Sequence, residues 1–400
     1  MTDPTKIDYI KSIDEKLKKL ESQPDSKPWT IELLRRIKKQ QDNVQYDPNI
    51  QLYAQPIPDE HYLETYNRYK DDFEGEIETE VMLDDSSART NLLPIRYQEF
   101  WDCYQFQISN MWHVEEINFD DDKFDTLPIA IQIYVIFILA FFAGIDGIIN
   151  NNLGERFVRD VKIREALVAY DFQKMMENIH NHTYNLNIEI YVPDEDIRDI
   201  LFNSIQYMPS IQDKAKWAYK WINSDKTFAH RIVAFIAIEG INFSGSFGSV
   251  FWLQSVGYIL TGLYQSNNFI RRDETLHVLF AIEIYNFLKN KLRPEVIKEI
   301  FAEAVENEIR FINDALASDV IGLKAESMAN YIRYVANDLL NDMDITPLYE
   351  IDDASVEREF KFMIEGSMET KNNFFEARGD AYQSAHSASK RKIFNKNADV

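Results

Sequence analysis

One spacing, used twice, constrains this chain more than any other feature. In residues 171–190 (DFQKMMENIHNHTYNLNIEI), Glu177, His180 and Tyr184 stand at i, i+3 and i+7, on one stripe of a helix. In FIRRDETLHVLF, Glu274 and His277 repeat the Glu-x-x-His step inside a second apolar, helix-like run. Upstream of each pair, by the span of a helix, a turn and a returning helix, an acid sits in an oily setting. These are Asp146 in LAFFAGIDGII and Glu239 in VAFIAIEGINF. A single Glu-x-x-His is most often a solvated Glu and a satisfied His. The order acid, Glu-x-x-His, acid, Glu-x-x-His is different, because carboxylates are rarely buried unless paired or metal-bound. Four carboxylates and two imidazoles from four helices form the ligand set of a di-iron or di-manganese carboxylate bundle. Four merely acidic core helices would leave those six polar groups without partners.

Composition fits a soluble intracellular chain with a reducing, cytoplasmic setting. Four hundred residues with 45% hydrophobic content can bury a large core. A net charge of −23 argues against a basic face for nucleic acid or anionic membrane, so neither is expected as a partner. The acids are spread along the chain, as solvated helix faces are. Cys103 is the only cysteine, which excludes intramolecular disulfides. The N-terminus, MTDPTKIDYIKSIDEKLKKL, is too charged for a secretory signal. Residues 127–149 are long and apolar enough to cross a bilayer, yet Gln132 interrupts the run and Asp146 ends it. A helix apolar all round is what the centre of a bundle needs, and that is the reading adopted.

In chain order, residues 1–80 read as a polar N-terminal extension, partly helical near 5–22 and 29–42 and punctuated by prolines. Residues 81–93 read as a linker opening the main domain, 81–345. The acidic cluster at 120–122 reads as a loop before the apolar helix. From about 127 to 343 the pattern is helical, with breaks at 150–154, 185–195, Pro209, 223–226 and Pro294. No strand–helix alternation and no phosphate-binding glycine loop is present. SGSFGS at 244–249 places two glycines in a helical run, which marks either a helix distortion near a functional site or a simple turn. Residues 346–400 read as a polar tail, flexible from about 366.

ENIHNHTY, LAFFAGIDGIINNNLGERF, VEEINF after Trp112, IEGINFSGSFGSVFW and FIRRDETLH resemble the small subunit of class I ribonucleotide reductase in its eukaryotic and viral form. The resemblance spans about residues 92–345 and resumes at KNNFFEARGDAYQ; the first 80 or so residues lie outside it. It implies an all-α, ferritin-like di-metal carboxylate bundle, a homodimer, a metal-generated tyrosyl radical and a larger subunit that performs the reduction. It implies Asp146, Glu177 and His180 as ligands of one iron and Glu239, Glu274 and His277 as ligands of the other, two iron ions per chain. Manganese accepts similar oxygen and nitrogen ligands. Tyr184 matches the radical tyrosine, and Phe243, Phe247 and Ile270 match its apolar wall; ordinary core packing would also account for those three.

The same resemblance assigns Trp112 and Asp273, with His180, to an electron and proton route toward the surface, and Tyr382 to its relay across the subunit interface. Without it, Trp112 is one of six tryptophans and a core anchor by default. Phe394 and Val400 are the expected anchors of a tail that binds the large subunit. The family's animal members end in an acidic segment closing on Phe, so Asn397 and Val400 depart from them. Asn242 stands where the family commonly has an aromatic, and His182 falls on a different helix face from the ligands. Ribonucleotide reduction needs a thiyl-forming cysteine and a redox dithiol. A chain whose single cysteine is Cys103 cannot supply them, so the expected role is radical generator. A di-iron oxidase or a ferritin-like iron-binding protein would share the ligands but has no use for Tyr184, the Trp112–Asp273 pair and a tyrosine-bearing tail together. A silent binding protein that had lost chemistry would lack a ligand or Tyr184.

Overall fold

The computed structural model describes residues 4–41, 61–203, 208–313 and 321–391, with side chains described between 8 and 376 apart from 151 and 155. Among the described residues the secondary structure is helical, apart from one isolated antiparallel bridge between Phe73 and Leu292. The helices are α1 (Pro4–Glu21), α2 (Pro28–Gln41), α3 (Tyr62–Arg68), α4 (Gln98–Ser109), α5 (Ile129–Asn152), α6 (Val158–Asp160), α7 (Arg164–Tyr191) and α8 (Glu195–Phe202). They continue as α9 (Pro209–Ile222), α10 (Phe228–Gly240), α11 (Ser244–Ser255), α12 (Thr261–Phe287), α13 (Pro294–Phe311), α14 (Ala325–Asp342), α15 (Asp353–Glu359) and α16 (Lys361–Arg391).

Four of these form the central bundle: α5 packs on α7, α10 on α12, and α7 on α12. α5 is nearly all apolar, and Gln132, which breaks its run, is satisfied by donating to the Phe124 carbonyl at 2.9 Å. Both apolar stretches long enough to span a membrane, Ile129–Asn150 and Phe228–Ser255, are mostly buried inside the protein, by 78% and 94% of their most apolar windows. Their hydropathy serves the core. On α7, after Glu165 in its first turn, the buried positions run Ala166, Ala169, Tyr170, Gln173, Met176, Glu177, His180, Thr183, Tyr184, Asn187, Ile188 and Tyr191. That 3-4 alternation is the inward stripe of an amphipathic helix, here carrying polar groups at its centre.

The structure differs from the sequence reading in several places. α7 runs through 185–191, because Asn185 and Asn187 bond back one turn, to Asn181 Oδ1 at 2.9 Å and the Thr183 carbonyl at 2.8 Å. The break is only residues 192–194, with Asp194 capping α8. The helix also continues through 150–154 and passes into a π-helical turn, Leu153–Phe157. SGSFGS lies within α11, and the interruption is the three-residue turn just before it, 241–243. α1 and α2 pack together, with Trp29, Leu33, Leu34 and Ile37 buried and α2 lying on α5, so this part of the N-terminal extension is a helical addition to the bundle. The beginning of the tail is helical and packed: Phe374 is buried against Phe106, and Lys371 reaches Asp338 at 2.7 Å and also Asp342. The polar composition of that segment concealed its few anchoring groups.

Candidate metal centre

Helical register places the central side chains. α7 turns Gln173, Glu177, His180 and Tyr184 inward at steps of four, three and four, and α12 turns Ile270, Asp273, Glu274 and His277 inward at steps of three, one and three. Asp146 and Glu239 come from the closing turns of α5 and α10. Asp122, in the acidic loop, accepts from the Gly262 and Leu263 amides at 2.7 and 3.4 Å and so caps α12, fixing its register.

The six side chains selected from the sequence as candidate ligands converge. Donor atoms of Asp146, Glu177 and His180 lie within 4.8 Å of one another, and so do those of Glu177, Glu239, Glu274 and His277. Glu177 belongs to both groups. Glu274 also leans across, its Oε1 lying 3.1 Å from His180 Nδ1. His277 Nδ1 lies 3.1 Å from Glu177 Oε1 and 3.2 Å from Glu274 Oε2. Each of the six is no more than 3% exposed, so bulk solvent does not reach their polar atoms.

The electrostatics identify what this cluster lacks. Burial drives the Asp146 carboxyl well above its ordinary range, and Glu177 and Glu274 beside it push it further. Burial, then Glu274 and Glu177, do the same to Glu239. Burial also pushes the Glu274 carboxyl up, but His180 and His277 outweigh it and hold the group below the usual range. Burial works against charge on His277 too, yet Glu177 and Glu274 raise it to about 9. Both Asp146 oxygens and Glu239 Oε2 have no hydrogen-bond partner. Burying one ion costs several kcal/mol even after relaxation. Four buried carboxylates are therefore tenable only with protons or cations among them. An all-oxygen-and-imidazole donor set suits iron, manganese or another divalent ion of that kind. The residues present fit a two-ion centre.

Tyr184 is fully buried, and its hydroxyl has no hydrogen-bond partner. Burial raises its phenol well above the ordinary value, with Asp146, Glu274 and Glu177 adding to the shift, so it stays protonated beside the carboxylates. Phe142 stacks on it with centroids 4.5 Å apart, and Phe243 and Phe247 pack on Phe142 at 5.8 and 5.0 Å. Ile270 is buried one turn before Glu274 on α12. Trp112 is buried too, and its indole donates to Asp273 Oδ2 at 2.7 Å. The same oxygen lies 3.1 Å from His180 Nε2. His180 thus presents Nδ1 to the carboxylates and Nε2 to Asp273, a continuous hydrogen-bonded line from the cluster to the indole. A cavity of about 290 Å³ lies against Glu239 and Glu274, walled by Phe243, Phe247 and Tyr331 and bordered by Met363 and Met368 of α16.

Sequence reasoning missed two residues of this site. Phe142, four before Asp146, contacts Tyr184 directly, and Gln173, four before Glu177, places Nε2 3.5 Å from Glu239 Oε1. Stepping back one turn from each ligand would have found both. His182 is exposed, away from the ligands. Residue 382 falls within α16, but its side chain, like Phe394 and Val400, lies outside what the structure describes.

Residues 89–356 match the family model for the ribonucleotide reductase small chain. The chain is 40% identical over 377 residues to the ribonucleoside-diphosphate reductase small chain of Acanthamoeba polyphaga mimivirus, covering 93% of this chain and 88% of that one. The family match begins at residue 89, outside the first 80 residues, whereas the mimivirus match extends over 93% of the chain. The small chain from Spisula solidissima is 42% identical over 309 residues, 76% of this chain and 79% of that one. Among solved structures, the ribonucleotide reductase Rnr4 homodimer from Saccharomyces cerevisiae superposes with a TM-score of 0.65 at 31% identity, covering 73% of this chain and 91% of that one.

Proposed function

The chain belongs to the ribonucleotide reductase small-chain family, and on that premise we propose that it stores an oxidising equivalent as a radical on Tyr184 and delivers it to a large subunit. The observation that carries this reading is the pairing of a cation-deficient carboxylate cluster with a partnerless phenol in an apolar wall. Asp146, Glu177 and His180 would hold one ion and Glu239, Glu274 and His277 the other, with Glu177 common to both groups of donors. Iron is the proposed metal, and with dioxygen a bound di-iron pair supplies the one-electron oxidation of the phenol.

The remaining roles are those of the chain itself. Burial keeps the Tyr184 proton on oxygen until oxidation, and Phe142, Phe243 and Phe247 exclude water and reductants from the phenoxyl. His180 fixes the near end of the route out; Asp273 accepts from both His180 and Trp112, which orients the indole and couples proton position to electron passage. Beyond Trp112 the proposed relay is Tyr382, with Phe394 and Val400 anchoring the tail on the large subunit. The working form is a cytoplasmic homodimer. Addition of ferrous iron and oxygen to metal-free protein should give an electron paramagnetic resonance (EPR) signal of a tyrosyl radical in the native chain and none in Tyr184→Phe. Oxygen consumption without that signal would favour an oxidase or iron-binding role instead.

A further inference from the structure

A second buried ionic group lies behind the apolar wall, and the roles above make no use of it. Lys214 on α9 and Glu308 on α13 are both fully buried and paired through Nζ and Oε2. The ammonium sits between two rings, 3.7 Å from the Phe141 centroid and 4.0 Å from that of Phe311. It also donates to the Asn242 carbonyl at 2.5 Å. Glu308 Oε1 accepts the Gly245 amide at 3.0 Å. A Cβ at position 245 would stand 2.6 Å from that oxygen and 2.7 Å from Ile312, so only glycine lets the carboxylate reach the backbone there.

Both ionic contacts therefore fall on the same short stretch, the 241–243 turn and the first turn of α11. This stretch begins just after Glu239 and contains Phe243, which packs 6.0 Å from Phe141 and stacks 5.8 Å from Phe142, the ring covering Tyr184. A turn carrying two buried backbone groups needs partners for them. Here the partners are charged, and charge-assisted bonds are the stronger and more directional kind.

We propose that the buried Lys214–Glu308 pair is a positioning clamp for the radical site: it holds the 241–243 turn so that Phe243 closes the wall over Tyr184. The clamp rests on the reading of Tyr184 as the radical residue, but its mechanical part can be tested without it. The variant Lys214→Met/Glu308→Gln removes both charges while retaining volume and an acceptor for Gly245. Hydrogen exchange should quicken at least tenfold in residues 240–247 and stay as in the native protein in residues 129–142. After reconstitution to the native metal content, the tyrosyl signal should decay at least tenfold faster in hydroxylamine, with an altered EPR line shape. Gly245→Ala, whose Cβ would displace Glu308 Oε1 from the 245 amide while leaving Lys214 and Glu308 paired, should quicken exchange in 240–247 to a lesser degree and serves if the double variant does not fold. Native exchange in 240–247 together with a native decay rate would overturn the clamp. A native chain that forms no tyrosyl signal would sink the radical reading, and the exchange result alone would then decide whether the clamp exists.

Discussion

Two buried charge clusters lie within this bundle, and they differ in whether their charges close. In the Lys214–Glu308 pair one cation meets one anion, and the two also reach two rings and two backbone groups. The Asp146–Glu177–His180–Glu239–Glu274–His277 cluster holds four carboxylates against two imidazoles and leaves carboxylate oxygens without partners. A closed cluster fixes backbone. An open one is a receptacle for cations. They also lead to different places: the closed pair ends on a turn, whereas the open cluster continues through His180 and Asp273 to Trp112.

The contrast breaks first at Glu177, which serves both halves of the open cluster. Glu177→Ala should abolish two-ion binding and lower the tyrosyl yield by more than about 100-fold, because loss of an outer-shell partner alone costs about 10–100-fold and Glu177 is common to both donor groups; metal analysis and EPR report both. Trp112→Phe keeps the ring and removes the donor to Asp273. Metal content and radical yield should remain, while deoxynucleotide formation with the large subunit falls by about 100-fold or more, a loss of roughly 2.7 kcal/mol at two powers of ten. Native turnover in that variant would remove the indole from the route.

At the closed pair, removing one partner should cost more than removing both. Lys214→Met alone leaves a buried, uncompensated carboxylate and should cost about 3–5 kcal/mol. The double variant with Glu308→Gln should recover most of that, as denaturant unfolding of metal-free protein would show. Equal losses would mean that the pair is not closed. A smaller effect separates the clusters by pH. Folded, metal-free protein retains protons on Asp146 and Glu239 that the unfolded chain releases, because burial and neighbouring carboxylates raise both groups. The contribution of these two groups to the stability of the metal-free fold should therefore be fully present below the ordinary carboxylate range and be lost as pH rises above it. Metal binding displaces those protons, so that loss should be absent in loaded protein.

The open cluster was legible in the sequence because its spacing is repeated and its acids interrupt oily helices. Asp146 and Glu239 are conspicuous only for where they stand. Phe142 and Gln173 were not legible, since a phenylalanine in an apolar helix and a glutamine near a polar stripe are ordinary residues until their neighbours are known. The clamp was less visible still: Lys214 lies in a helix of mixed charge, Glu308 in another, and only packing brings them together. The helical fold followed from periodicity, but its boundaries did not. Asparagines at 185 and 187 read as a break and instead bond back along α7, and a polar tail segment proved to be pinned by Phe374 and Lys371.

Anaerobic titration of metal-free protein with manganous ion, followed by native mass spectrometry, tests the open cluster most directly. Two ions per chain are expected in the native protein and in the Lys214→Met/Glu308→Gln variant, with Glu177→Ala failing to take up the pair. Binding of no ion, or uptake of two that Glu177→Ala leaves unchanged, would contradict a two-ion centre built on that shared carboxylate.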